Sequence, residues 1–223
     1  MPRRAMLDDL QEFFGQSTWQ PQRLLEMMQK YEVTPEMLFY RFSELIPQFF
    51  GIRLHFLRFH RSNDRYELIK QLNMSQLIVP SGIGLHEHYC RRWLSMRLLQ
   101  QGLDKTEPLS FDTPFVGAQY SEFISSRDQF LCLGFARPMV LSPHVESSVI
   151  VGFRVDGDMK NTIRFVDDPA IPRVFIHETC ERCPLTGSQC QVRAAPPTIL
   201  EAEKETTARR LALERLRKKL RQN

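Results

Sequence analysis

Three of the chain's five cysteines fall within the fourteen residues from His177 to Cys190, spaced Cys180-x2-Cys183-x6-Cys190. No other stretch restricts the fold so tightly, because clustered thiols that stay reduced act as metal ligands or redox groups. A Cys-x-x-Cys pair in a tight turn brings two thiolates to one centre, and the turn residues Thr186-Gly187-Ser188 return Cys190 toward it. A structural zinc ion or a 4Fe-4S cluster takes four protein ligands, so one is missing. Cys90, flanked by His88, Tyr89, Arg91 and Arg92, is the candidate fourth. Cys132 sits in the apolar run Phe130 to Ala136 and reads as a core residue. The uneven spacing, with Pro184 directly after Cys183, leans toward a cluster, and zinc is the alternative. Arg91, Arg92, Arg182 and Arg193 bring positive charge to offset that of four thiolates.

A chain of 223 residues, 42% of them hydrophobic, can bury a core as one large domain or two small ones. No apolar run approaches the roughly 18 residues of a membrane span, and Met1-Pro2-Arg3-Arg4-Ala5-Met6 leads into an acidic amphipathic stretch, not a signal-peptide core. The expectation is a cytoplasmic protein without a membrane partner. Its net charge of +4 belongs to the tail: residues 201–223 hold eight Lys or Arg against four Glu, leaving 22 of each sign elsewhere.

Along the chain, Met6, Leu7, Leu10, Phe13 and Phe14 have the spacing of a helix with a buried stripe. A second helix starts at Gln20-Pro21, with Leu24, Leu25 and Met28 inward. A third is capped by Thr34 with Pro35 at its first position, and is expected to stop before Pro47. Helix, turn and capped helix outline a helix-turn-helix. Between Pro35 and Ile46, however, Arg41 is the only cation while Glu36 and Glu44 repel phosphate, which favours a packing unit over a DNA reader.

After Gly51 the pattern alternates. Ile52 to Phe59, Tyr66 to Ile69, Phe130 to Ala136, Ser148 to Val155, Thr162 to Val166 and Arg173 to Ile176 read as strands. Asp156-Gly157-Asp158 suggests a hairpin between two of them. A helix is expected over Leu85 to Leu99, and residues 100–129 carry little pattern. His86 and His88 would point about 200° apart on that helix and could not share a metal. No His-Glu-x-x-His motif occurs, and no Cys/His/Asp pattern marks Cys132 or Cys183 as a nucleophile, so the chain is not read as an enzyme. From Ile199 a charged helix follows, with Leu213, Leu216 and Leu220 as its apolar row. It is either a solvated helix, a dimer contact or a basic arm.

The segment Leu25 to Phe59, with Val33 to Arg41 and Pro47 to Gly51, resembles the segment after the peptidase-like domain of ImmA/IrrE-related proteins. Glu87-His88-Tyr89-Cys90-Arg91-Arg92-Trp93, Phe135-Ala136-Arg137-Pro138 and Cys180-Glu181-Arg182-Cys183-Pro184-Leu185 with Cys190 are similar to the C-terminal sensory domain of short-chain acyl-CoA-responsive transcription regulators, including the propionate-regulator type. The resemblance implies a GAF-like sensory fold, a 4Fe-4S cluster held by Cys90, Cys180, Cys183 and Cys190, and an acyl-CoA-like effector. It also implies that DNA is bound through an XRE-family domain that this chain does not include. Arg91, Arg92 and Arg137 are candidate contacts for the effector's phosphate, since guanidinium suits phosphate geometry.

The expectation is therefore an α+β chain: a helical, helix-turn-helix-like unit over 1–50, a GAF-like antiparallel-sheet sensory domain with a four-cysteine site over 51–195, and a basic helix over 196–223. It would act as the sensory part of a homo-oligomeric transcription regulator, the alternative being a zinc-stabilised protein-interaction module without a small ligand.

Overall fold

The computed structural model describes residues 2–62, 65–80, 88–102, 109–111, 113–194 and 198–222. The chain is mixed α/β, with six α-helices among the described residues and a curled six-stranded mixed sheet, a half-barrel. Two compact units emerge, interleaved in sequence: residues 1–78 with 92–176, and residues 79–91 with 177–223.

In the larger unit, helices α1 (Arg3–Phe14), α2 (Pro21–Tyr31) and α3 (Pro35–Phe50) precede the sheet. The stripe Met6, Leu10, Phe13 and Phe14 of α1 is buried, as its spacing requires. On α2, Leu24 and Met27 are buried, while Leu25 and Met28 are partly so. Thr34 caps α3 by accepting from the Met37 N–H (3.3 Å). The helix does not stop at Pro47. It runs one turn further, where Phe50 meets Phe14 edge-on at 5.4 Å, and ends on Gly51 in the left-handed region (φ 70°). Aromatic packing and a glycine C-cap outweigh the hydrogen bond lost at the proline.

The strands are β1 (Leu54–Ser62), β2 (Arg65–Asn73), β3 (Phe115–Phe123), β4 (Gln129–Met139), β5 (Ser142–Arg154) and β6 (Arg173–Ile176), in the order β2-β1-β5-β4-β3-β6. The first five pair antiparallel and β6 joins β3 in parallel, so the expected all-antiparallel sheet is mixed. On one face Tyr40 stacks on Phe56 (4.6 Å) and Phe39 meets Phe135 at a tilt (4.9 Å), which seats α3. On the other, α4 (Leu94–Gln101) approaches closely because its Leu94 and Leu98 meet glycines. Gly117 and Gly134 pair across strands, and a Cβ on Gly134 would stand 3.0 Å from Leu98 Cδ1. The N-terminal helices and the sheet share one apolar core.

Two sequence expectations fail here for local reasons. Thr162 to Val166 is not a strand. Asp156 caps a short helix, α5 (Gly157–Thr162), by accepting from the Met159 N–H (2.9 Å), and a 3-10 turn Arg164–Asp167 follows. Phe165 then fills the space between Phe13 and Trp19. The helix placed over Leu85 to Leu99 begins only at Leu94, and residues 88–91 are not helical; Leu85, His86 and Glu87 lie outside the described residues. In the smaller unit, α6 (Thr198–Gln222) is the charged helix anticipated, with Leu213, Leu216 and Leu220 exposed. Among the described residues no helix is long and apolar enough to cross a membrane.

Candidate metal centre

All four nominated cysteines, although Cys90 precedes Cys180 by 90 residues, belong to the smaller unit. One antiparallel bridge joins the two segments. Tyr89 pairs with Thr179, the Cys90 N–H donates to the Glu178 carbonyl (3.2 Å) and the Cys180 N–H donates to the His88 carbonyl (2.7 Å). In that register Cys90 and Cys180 lie on the side of the bridge opposite Tyr89 and Thr179. As diagonal neighbours their Cα atoms are about 7–8 Å apart. Cys180 Sγ also lies 3.7 Å from the Tyr89 carbonyl oxygen.

Beyond the bridge the chain wraps. The Cys183 N–H reaches back to the Cys180 carbonyl (3.4 Å), and the Gln189 and Cys190 N–H groups converge on the Thr186 carbonyl (3.1 and 3.0 Å). That second turn returns Cys190. The Arg193 guanidinium braces the loop, donating to the carbonyls of Cys180 (3.3 Å) and Cys183 (2.6 Å), while the Ala194 N–H points at Cys180 Sγ (3.5 Å). Cys90, Cys180 and Cys183 are buried and Cys190 is half-buried; all are free thiols.

The electrostatics fit closely spaced sulfurs. Burial pushes the Cys183 thiol above its ordinary value; the Leu185 N–H and Arg193 pull it down, and Cys180 and Cys190 push it up again. A metal would displace those protons and turn mutual repulsion into shared coordination. Among the described residues, no group of three or more His, Cys, Asp or Glu side chains is arranged to hold an ion. The donor set nevertheless fits one in kind: soft sulfurs, an amide N–H aimed at sulfur and a guanidinium at the knuckle.

The remaining nominees are dispersed. Arg91 is buried in the smaller unit. Arg92 belongs to the larger unit, where its carbonyl accepts from Gln119 Nε2 (3.0 Å). Arg137 donates to Glu36 (2.7 Å), whose second oxygen lies 3.9 Å from Arg58. Burial works to raise the Glu36 carboxyl, but the Arg137 hydrogen bond and charge leave it below its usual range. Cys132 is buried in the sheet, its thiol pushed up to about 12 by burial. It borders a cavity of about 20 Å³ with Ser121, Trp93 and His55, whose imidazole burial lowers to about 3. A neutral thiol beside a neutral imidazole is not an activated nucleophile.

Two contacts escaped the sequence reading. Arg193 had been assigned a charge-balancing role, but its grip on the two cysteine carbonyls depends on the fold. The pairing of His88 with Glu181 had no sequence signal, since no spacing rule links positions 93 apart. Comparison of the chain with protein-family models, curated proteins and solved structures found no match.

Proposed function

We propose that this chain is the sensory part of a transcription regulator, with a four-cysteine metal centre that clasps the smaller unit. The single observation carrying this reading is the Tyr89–Thr179 bridge, which delivers Cys90 to the loop holding Cys180, Cys183 and Cys190. The motif resemblance in Glu87 to Trp93 and Cys180 to Cys190 adds the class of protein. The antiparallel order β2-β1-β5-β4-β3, with helices on both faces, supports a GAF-type fold for the sensory sheet. The pair α2 and α3 is the helix-turn-helix-like element, used here for packing.

Cys90, Cys180, Cys183 and Cys190 would hold a 4Fe-4S cluster, with Arg193 and the Ala194 N–H tempering the charge on sulfur. A bound cluster supplies sensitivity to oxidants and cross-links the two segments. An acyl-CoA-like effector would act by binding one conformation of a homo-oligomer better than another, and DNA contact would fall to a separate XRE-type domain. Arg137, one of the arginines nominated for its phosphate, would have to exchange Glu36 for it.

Anaerobic purification followed by visible absorption, iron, sulfide and zinc analysis tests the reading. A brown protein with about four irons per chain is expected. Cys90→Ser should lose metal as severely as Cys183→Ser, and Cys132→Ser should keep it. A colourless protein with one zinc per chain replaces the cluster by the zinc-stabilised interaction module, and a metal-free protein removes both.

A further inference from the structure

Glu181 stands between Cys180 and Cys183 and is only 2% exposed. A buried carboxylate is costly unless its oxygens are engaged, and here both are engaged by one residue. Oε2 accepts from the backbone N–H of His88 (2.6 Å), and Oε1 pairs with His88 Nδ1. The His88 carbonyl accepts from the Cys180 N–H. Residue 88 is therefore fastened to the Cys-x-x-Cys knuckle through its N–H, its carbonyl and its ring.

We propose that Glu181 and His88 form a latch that positions Cys90 in the four-cysteine centre. The inference rests on the reading of Cys90 as a ligand, and makes His88 and Glu181 positioning residues, not ligands. The physical need is plain. The bridge between residues 88–90 and 178–180 is a single pair, and an isolated two-stranded contact of that length does not hold itself in water. Cys90 is two residues beyond His88 on extended backbone, so fixing residue 88 fixes where Cys90 presents its sulfur. His88 was set aside in the sequence because two histidines on a helix diverge; on the extended backbone seen here it shares a side with Cys90. The donor that matters is Nδ1–H, directed at Glu181, while the side chain as a whole stays 43% exposed. Outer partners of this kind typically change metal affinity by about 10–100-fold when removed.

The full chain and the variants Glu181→Gln, His88→Ala and His88→Asn decide the matter. The Asn amide can donate to Glu181 in place of Nδ1–H but has nothing at Nε2. Two readouts apply: alkylation of Cys90 by iodoacetamide in the metal-free protein, resolved by mass spectrometry, and the amount and visible spectrum of metal bound after reconstitution with ferrous iron and sulfide or with zinc.

Glu181→Gln and His88→Ala should label Cys90 at least about tenfold faster with Cys132 still slow, and weaken metal binding about 10–100-fold. His88→Asn should match the parent in both. If His88→Asn binds metal as poorly as His88→Ala while Glu181→Gln is intact, His88 is itself a ligand and the latch is overturned. Unchanged Cys90 labelling in Glu181→Gln and His88→Ala also overturns it. If even the parent binds no metal, the four-cysteine reading fails, and the labelling rates still decide whether the latch positions Cys90.

Discussion

The two units of this chain are held together by different means. The larger buries phenylalanines throughout: Phe13, Phe14, Phe39, Phe42, Phe56, Phe59, Phe123, Phe130, Phe135, Phe153 and Phe165 are all essentially inaccessible. In the smaller, the buried described residues are Tyr89, Cys90, Cys180 and Cys183, with the polar Arg91, His177, Thr179 and Glu181. A phenylalanine moved out of water contributes about 1.5–3 kcal/mol, so the larger unit accumulates its stability from many non-directional contacts. The smaller has no such reserve. Its order comes from one bridge, a buried carboxylate, an arginine brace and, on the reading proposed, a metal that ties four cysteines together.

The largest expected effect tests that contrast directly. On the reading proposed, stripping metal from anaerobically prepared protein with a chelator should reduce hydrogen-exchange protection at the amides of Cys90, Cys180 and Cys190, with the latch retaining part of the bridge, while β1, β4 and β5 keep theirs, because structural metal binding adds about 10 kcal/mol to the unit that holds it. Equal loss across the sheet would break the comparison and make the two units one cooperative block.

A second test lies in the larger unit. Glu36→Gln leaves Arg137 buried beside a neutral amide and should cost about 3 kcal/mol in denaturant unfolding, with metal content unchanged. Loss of metal on this substitution would erase the distinction.

The smallest effect sharpens the picture through pH. Burial lowers His55 from 6.5 to about 3, so between those values the unfolded chain binds a proton that the folded chain does not. Stability of the larger unit is whole above pH 6.5 and should decline below it by about 1.4 kcal/mol per unit. The depressed Glu36 carboxyl has the same sign at lower pH: its contribution is present above the usual carboxylate value and is lost as acid protonates the folded form. His55→Asn should flatten the slope between pH 6 and 4 whatever its effect on absolute stability.

Local chemistry made much of the larger unit legible. The Thr34-Pro35 start of α3 and the stripe of α1 follow from capping and 3.6-residue spacing alone. The alternation in β1 and the apolar runs of β4 and β5 follow from strand geometry. Readings failed where a pattern was too short to carry a period. Ile163 and Phe165 are apolar at alternate positions, yet the Asp156 cap turned that stretch into a helix and a 3-10 turn. Strand β3 arose from a region without pattern, because its inward residues include Gly117, Gln119 and Ser121, polar or absent side chains chosen to fit α4 and the buried hydrogen bonds.

For the cysteines, the sequence offered the candidate donors: Cys180-x2-Cys183-x6-Cys190 groups three soft thiols around turn residues. The sequence nominated Cys90 as the fourth from its flanking residues, and what joins its segment to the knuckle is tertiary. Cys90 and Cys132 both lie far from the cluster in sequence and both are buried. They differ in that one sits on a bridge to Thr179 and the other in the middle of the sheet. Spacing encodes contacts made within a turn, whereas the bridge and the Glu181–His88 latch join positions about ninety residues apart, and only the folded backbone brings such positions together.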